Sequence, residues 1–399
     1  MKILYLVILI SLLLMSCKNK ATDSELKEPI TSINVDQHIE DTLYIEAGDF
    51  FQDLSLVRLE TNSSIMLGNI YGIVRSDDYF IISPERGSYL FTKDGRFLRE
   101  LYRSGRGPEE FLYPRFSSRI VNGILYLEDW SKRQDRYYGI NLESGEIKVI
   151  EKPLAWRSHD FMVDEEGIIA AFGEFVPEGT DHARDPSRII KRDLYFQDMN
   201  GNLINTYDHG FSEHGKIWGF AEMHFLSKDI YLTTPLGKTI LRIRDNKSDT
   251  IWTNFFETEY KRGDIPGKHT YASLIYYSSE KVLIQKQEVE ITTRSGRHAR
   301  KGIILVNRNE GTAKIIKSFL KTRKNMLNLT TYDFTRDGFL CKVIYAHQIV
   351  EMMKDPEMEA YLNDLIRKGS WSADEPVSID DNPFILIGRI SDNDKHSIE

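Results

Sequence analysis

Short apolar runs recur along this 399-residue chain, and turn residues bound each of them. Runs of about four to eight residues between turns are typical of β-strands. Helical periodicity is nearly absent before residue 347, so the pattern predicts an all-β fold. The clearest runs are Ile70 to Val74, Tyr79 to Ile82, Tyr89 to Phe91, Ile124 to Leu127, Ile168 to Phe172, Ile230 to Leu232, Lys281 to Ile284 and Ile303 to Val306.

The spacing of the turns indicates how the strands are grouped. Turns rich in Gly, Asn and Asp follow one another at intervals of about 45 to 65 residues, which is the length of a four-stranded propeller blade with variable loops. The chain is therefore expected to form a six-bladed β-propeller, in which stacked blades bury each other's apolar faces. A pair of β-sandwiches or a β-helix is the alternative. The turns are Lys93-Asp94-Gly95, Glu143-Ser144-Gly145, Met199-Asn200-Gly201, Arg244-Asp245-Asn246 and Asn309-Glu310-Gly311.

Strand-like segments at both ends of the chain lie outside these repeats. Thr42 to Ile45 and Leu54 to Leu59 precede the first repeat, and Pro383 to Ile390 follows the last. Strands from the two ends are expected to share one blade, which would close the ring.

One segment departs from the strand pattern. Apolar residues between Gln348 and Lys368 recur mostly three and four positions apart, and Gly369 follows them. This spacing predicts one or two short helices, divided at Pro356, as an insertion of about residues 348–369 in the last blade.

The N-terminus has the features of a secretory signal. Met1-Lys2 precedes an apolar run from Ile3 to Met15, which is too short to span a bilayer. Leu14-Met15-Ser16-Cys17 resembles the lipobox of bacterial lipoproteins, and this resemblance implies a diacylglycerol on Cys17. Residues 1–16 are thus predicted to be a signal peptide, 17–36 a lipidated flexible tether and 37–399 the propeller. An ordinary signal peptide with a chance cysteine is the alternative.

Composition narrows the possible partners. The net charge of −8 argues against nucleic-acid binding, because few excess Lys and Arg residues are available to neutralise phosphates. The chain has two cysteines, Cys17 and Cys341, so acylation of the first would leave the second without a disulfide partner. Cys341 lies in an apolar run and is expected to be a buried, unreactive side chain.

Five motifs stand out along the chain, namely Phe51 to Thr61 ending in Leu-Glu-Thr, Leu67-Gly68-Asn69-Ile70, Phe91 to Phe97, Gly105 to Phe111 and Asp381-Asn382-Pro383-Phe384. Together they resemble those of the six-bladed β-propeller lipoproteins of gut-type Gram-negative bacteria, which are NHL- or TolB-like propellers. The resemblance implies the propeller fold and a lipid anchor, but little about chemistry.

The sequence carries no recognisable catalytic or metal-binding motif. The Gly105-x-Gly107 loop is an unsuitable phosphate site, because Pro108 lacks an N–H and Glu109-Glu110 adds negative charge. Gly-x-Ser-x-Gly is absent, and the histidines lack the spacing of a zinc protease. No cofactor or metal is expected.

Clusters of aromatic and basic residues are the best candidates for ligand binding. Aromatic faces pack against sugars, while Arg and His donate hydrogen bonds. The predicted binding residues are Trp130, Arg133, Trp156, Arg157, His159 and Trp218.

These features predict a lipid-anchored binding module of the cell envelope that takes a glycan, a peptide or an envelope protein. The outer membrane is the favoured location, with the domain in the periplasm or at the cell surface. The alternative is an envelope enzyme, a polysaccharide lyase or hydrolase, with its site in the propeller funnel.

Replacing Cys17 tests the predicted anchor. In cells fed labelled fatty acid, Cys17→Ala is expected to abolish lipid labelling, because the acylated thiol is lost, while Cys341→Ala keeps it. Equal labelling of the Cys17→Ala and unaltered proteins would contradict the anchor.

Overall fold

The computed structural model describes residues 39–391 apart from internal gaps. The predicted signal peptide, Cys17 and the tether lie outside the described residues. The gaps are residues 63–64, 86, 108, 113, 130–135, 154–155, 176–190, 208–221, 227–228, 234–238, 245–246, 254–266, 279–280, 293–295, 331–332 and 336.

The described chain begins with β1 (Ile39–Glu46), the short helix α1 (Ala47–Phe50) and β2 (Phe51–Arg58). Four sheets of four consecutive antiparallel strands follow. Sheet 1 contains β3 (Ile70–Arg75), β4 (Tyr79–Pro84), β5 (Ser88–Thr92) and β6 (Phe97–Tyr102); sheet 2 contains β7 (Pro114–Val121), β8 (Ile124–Asp129), β9 (Arg136–Asn141) and β10 (Ile147–Glu151). Sheet 3 contains β11 (Trp156–Val163), β12 (Ile169–Phe175), β13 (Lys191–Gln197) and β14 (Leu203–Tyr207); sheet 4 contains β15 (Glu222–Leu226), β16 (Asp229–Thr233), β17 (Thr239–Arg244) and β18 (Lys247–Thr253).

The remaining strands and helices form sheet 5 and a closing sheet. Sheet 5 contains β19 (Gly267–Tyr277), β20 (Lys281–Thr292), β21 (Gly296–Asn307) and β22 (Thr312–Phe319), with β1 parallel to the outer edge of β22 and the short β23 (Met326–Leu327) beside it. The chain continues through β24 (Phe339–Ile344), α2 (Ala346–Met352), α3 (Pro356–Gly369) and β25 (Phe384–Ile390). The closing sheet has the order β2-β25-β24.

Apolar clusters lie between successive sheets and make the arrangement propeller-like. Sheets 1 and 2 share the cluster around Leu90 and Leu127, and comparable clusters join each following pair up to sheet 5 and the closing sheet. A last cluster, with Val57 and Ile385 against Phe80, joins the closing sheet to sheet 1. Each sheet is therefore covered on both faces, as the repeat pattern predicted.

The prediction of six four-stranded blades is wrong. Five sheets have four or more strands, and the closing sheet has three among the described residues. Among the residues that the structure describes, the free edge of β24 carries an isolated bridge between Phe334 and Leu340 and no further strand. Thr330 donates to the Asp333 carboxylate through its backbone N–H (2.6 Å) and its hydroxyl (3.0 Å), so the chain turns here instead of extending as a strand.

Strands from both ends of the chain do meet in the closing sheet, as predicted. β2 pairs antiparallel with β25, and Leu56 lies opposite Leu386. Thr42 to Ile45 instead belongs to β1 and pairs with sheet 5.

Glycines in the predicted turns allow neighbouring sheets to approach closely. Gly95 has a φ of +95°, and a Cβ there would lie 2.1 Å from the carbonyl oxygen of Arg58 at the end of β2. Gly201 has a φ of +83°, and its Cβ would lie 2.7 Å from the carbonyl oxygen of Glu151 at the end of β10. Both positions therefore require glycine for two reasons, backbone conformation and space.

The helical prediction is confirmed, and the division falls at Pro356. This proline is the first residue of α3, where its missing N–H costs nothing, and the Asp355 carboxylate accepts from the N–H of Glu357 at 3.0 Å. Among the described residues, no helix has the length and apolar character that crossing a bilayer requires.

The segment after α3 is bonded to the end of β2 and to the residues that lead from it to sheet 1. Arg58 donates to the carbonyls of Glu375 and Pro376, each at 3.0 Å, and to the Asp381 carboxylate at 2.7 Å. Asn382 is buried; its amide donates to the carbonyl of Glu60 at 2.7 Å. These bonds join residues more than 300 positions apart in sequence.

Arg58→Ala is expected to lower the free energy of unfolding by roughly 3 kcal/mol, because it leaves the buried Asp381 carboxylate and two carbonyls without their cation. Urea denaturation measures the change. Arg96→Ala is the matched control, since the Arg96 side chain is 60% exposed and its pair with Asp94 lies on the surface. Equal losses in the two variants would contradict the assigned role of Arg58.

Candidate functional site

The predicted binding residues fall in or beside the gaps of the structure. Trp130, Arg133 and Trp218 lie outside the described residues. Trp156, Arg157 and His159 belong to the backbone of β11, whose side chains at these positions are not described. Their role in binding stays a prediction.

The described strands that flank these segments in sequence nevertheless begin or end at the same end of three successive sheets. We define the loop end of a sheet as the end where its first strand begins and its second strand ends. At the loop end of sheet 2, Pro114 pairs with Asp129, the residue before Trp130. Trp156 pairs with Phe175 at the loop end of sheet 3, and the chain reaches the loop end of sheet 4 at Glu222, four residues after Trp218.

The first strands of these sheets are neighbours in the ring. β7 contacts β11, and β11 contacts β15. The loop ends of sheets 2, 3 and 4 therefore adjoin each other. In the sequence, by contrast, Trp130 and Trp218 are 88 positions apart.

Buried charged side chains lie beneath these loop ends, and we call them the polar floor. Each is almost completely buried, which is costly unless every charge has hydrogen-bond or ionic partners. The polar floor consists of Glu128, Asp129, Lys152 and Asp160.

Lys152 and Glu128 form a buried ion pair. Their side chains are 0% and 1% exposed, and the ammonium donates directly to Oε1 of the carboxylate. The Lys152 Nζ also lies 4.4 Å from the centroid of the Tyr137 ring, whose hydroxyl is 2.6 Å from that of Tyr195 in sheet 3. The pair thus belongs to the contact between sheets 2 and 3.

The two aspartates of the polar floor bind backbone N–H groups of neighbouring segments. The N–H of Leu112 donates to Asp129 at 3.2 Å. The N–H groups of Phe161 and Met223 donate to the two oxygens of Asp160, each at 3.0 Å. Because Met223 lies in β15, Asp160 joins sheet 3 to sheet 4.

A buried phenol stands near Asp129 at the contact between sheets 1 and 2. The pKa of Tyr102 is raised to about 12, mainly by burial and in smaller part by the Asp129 charge, although hydrogen bonds with Ser88 and Ser83 lower it. Ser88 donates to the Tyr102 hydroxyl at 2.9 Å. The phenol is therefore neutral at physiological pH and acts as a hydrogen-bonding group.

The Gly105-x-Gly107 loop, which the sequence showed to be an unsuitable phosphate site, has a structural role. The N–H of Gly107 donates to the carboxylate of Glu110 at 2.8 Å, so a side chain of the protein occupies the place an anion would take. Phe111 packs edge-on against Tyr102 and Tyr138, with ring centroids 5.1 and 5.0 Å apart. The loop thus packs between sheets 1 and 2 and contacts both.

Neither the Cys341 thiol nor a cluster of metal-binding side chains provides a reactive site among the described residues. Cys341 is buried, as predicted, and burial raises the pKa of its thiol to about 12, so it is not a nucleophile at neutral pH. Within the described ranges, no three His, Cys, Asp or Glu side chains are grouped as a metal site. The polar floor anchors the strands from which the loops emerge.

Sequence analysis missed the polar floor as a set. Glu128, Asp129 and Lys152 are distinguishable in sequence only as charges beside apolar strands, and 24 positions separate the ion pair. Their partners became visible only when segments distant in sequence were brought together by the fold.

Lys152→Met is expected to lower the free energy of unfolding by roughly 3 to 5 kcal/mol, because it leaves a buried carboxylate without its cation. The double variant Lys152→Met with Glu128→Gln should recover at least half of that loss. Urea denaturation of the single and double variants measures both. If the losses in free energy of unfolding of the two single variants simply add in the double variant, a direct Lys152–Glu128 pair is contradicted. The control is Lys368→Met, because Lys368 forms an exposed ion pair with Asp364.

Comparison with known proteins supports the fold. A Bacteroides fragilis protein described as exported is 16% identical, with a TM-score of 0.52, over 88% of this chain and 100% of its own. A protein of unknown function from Bacteroides caccae is 13% identical, with a TM-score of 0.33, over 62% of this chain and 80% of its own. No curated protein matches the sequence.

The first of these likenesses agrees with the propeller-like arrangement of the sheets. Residues 30–389 match the model of the family described as "Domain of unknown function (DUF4934)", and the chain belongs to that family.

Proposed function

We propose that this protein is a lipid-anchored binding module of the cell envelope, and that it takes its ligand at the loop ends of sheets 2, 3 and 4. One observation supports the proposal: the described strand ends that flank the three aromatic and basic segments in sequence belong to neighbouring sheets and adjoin each other. The segments are those of Trp130 with Arg133, Trp156 with Arg157 and His159, and Trp218.

The structure beneath the loops favours a role in ligand binding over a role in catalysis. Ligand sites commonly combine loops of variable sequence with a rigid scaffold. Here Asp129 and Asp160 fasten backbone segments at the base of these loops. Tryptophan faces with Arg and His donors suit a glycan, a peptide or a surface of an envelope protein.

The envelope location rests on the leader and on Cys17. The Bacteroides fragilis protein of similar fold is described as exported, which agrees with an export signal at residues 1–16. A lipid on Cys17 would keep the domain at a membrane through residues 17–36, with the outer membrane favoured.

Ligand binding is tested on the mature polypeptide, Lys18 to Glu399, by a thermal-shift screen against glycans, cell-wall fragments and peptides. A ligand at 100 times its dissociation constant should add about 2.7 kcal/mol to stability. We expect one class to raise the melting temperature, and Trp130→Ala with Trp156→Ala to remove the shift.

Trp371→Ala is the matched control for the tryptophan variants. Trp371 is 37% exposed, and its N–H donates to the carbonyl of Asp94 in the turn between β5 and β6, at the end of sheet 1 opposite its loop end. If the ligand-induced rise in melting temperature is lost to the same extent in Trp371→Ala as in the variant with Trp130→Ala and Trp156→Ala, the proposed binding site is contradicted. Product formed from a polysaccharide, and lost in His159→Ala, would contradict a purely binding role.

A further inference from the structure

A compact basic patch lies on sheet 5, beside the strand that continues from the tether. Four exposed cations follow one another along β22 and the turn after it, in a protein whose net charge is −8. Tyr44 of β1 lies among them and is 41% exposed. The basic patch consists of Tyr44, Lys317, Lys321, Arg323 and Lys324.

Pairing of β1 with β22 brings the tyrosine and the cations together. Tyr44 lies directly opposite Lys317 in the parallel register. The Lys317 Nζ is 5.6 Å and the Arg323 Cζ is 4.7 Å from the centroid of the Tyr44 ring. The ring is therefore flanked by two cations.

The turn that carries the other cations is well defined. The N–H of Leu320 donates to the carbonyl of Asn325 at 2.9 Å, and the N–H of Asn325 donates to the carbonyl of Thr322, also at 2.9 Å. Leu320 is buried beneath the turn. Lys321, Arg323 and Lys324 are thus displayed on a closed turn.

The positive charge of the basic patch is not neutralised within the described part of the chain. No carboxylate described in the structure forms an ion pair with any of its four cations. Glu46 is the next residue on the same face of β1, and no ion pair joins it to these cations among the described residues. The four cations are therefore available to an external anion.

The position of the basic patch favours a membrane as that partner. β1 begins at Ile39, directly after the tether segment, and Tyr44 is five residues further along the strand. Five residues of strand span about 17 Å, so the patch lies close to where the anchored segment enters the fold. A lipid chain and a basic patch are the two signals that together hold a protein firmly on a bilayer, and tyrosine sits well among headgroups.

We propose that the basic patch is a second membrane contact, through which the folded domain rests on the anionic headgroups of the bilayer that holds its anchor. This inference rests on the proposed lipid anchor. It gives the domain a preferred orientation, with the outer face of β1 and β22 toward the bilayer.

The test uses the mature polypeptide without its lipid and measures its sedimentation with vesicles. We expect binding to phosphatidylethanolamine vesicles with about one third phosphatidylglycerol, and little binding to phosphatidylcholine vesicles. Replacing Lys317, Lys321, Arg323 and Lys324 by Gln should weaken binding to the anionic vesicles roughly 100-fold, because each cation near an anionic surface contributes to the binding free energy. Tyr44→Ala should weaken it further.

The control changes the same net charge elsewhere. Arg103, Lys148, Lys354 and Lys368 are exposed cations outside the basic patch, and replacing all four by Gln should leave vesicle binding nearly unchanged. Equal loss in both quadruple variants, or none in either, would overturn the proposal. The polypeptide used in the vesicle test carries no lipid. Failure of vesicle binding is therefore distinguishable from failure of fatty-acid labelling at Cys17.

Discussion

Pairing of β2 with β25 joins the two ends of the chain, and the rest of the ring depends on it. Each sheet buries one apolar face against its predecessor and the other against its successor. Without the closing sheet, sheets 1 and 5 would each expose a face. Arg58 and Asn382 strengthen this junction with buried hydrogen bonds, so the segment after α3 acts as a fastener for the closing sheet.

Buried polar groups also stabilise contacts between neighbouring sheets elsewhere in the described structure. Lys152 with Glu128 lies at the contact of sheets 2 and 3, and Asp160 joins sheets 3 and 4. These groups have hydrogen-bond or ionic partners within the protein, and they hold the strand ends from which the candidate binding loops emerge. Fold and recognition are therefore separated in space: charges below the loops position the scaffold, while aromatic and basic residues in the loops are proposed to meet the ligand.

Charge is distributed unevenly over this acidic molecule, and the proposed membrane contact follows from this distribution. An overall charge of −8 disfavours approach to an anionic bilayer. The basic patch on β22 and its turn is a local exception, next to the strand that follows the tether. A short-range contact of this kind can orient the domain because screening limits the repulsion from distant acidic groups to about 8 to 10 Å.

Sequence determined the features that depend on neighbouring residues: the strands and turns, the helices on either side of Pro356, the buried character of Cys341 and the meeting of terminal strands. It also predicts, without a structural test, the leader, Cys17 and the ligand-binding residues. Tertiary structure alone decided the three-stranded closing sheet, the parallel docking of β1, the Lys152–Glu128 pair and the basic patch. The physical reason is that turn geometry and strand patterning are local, whereas ion pairs and sheet edges acquire partners only when distant segments are packed together.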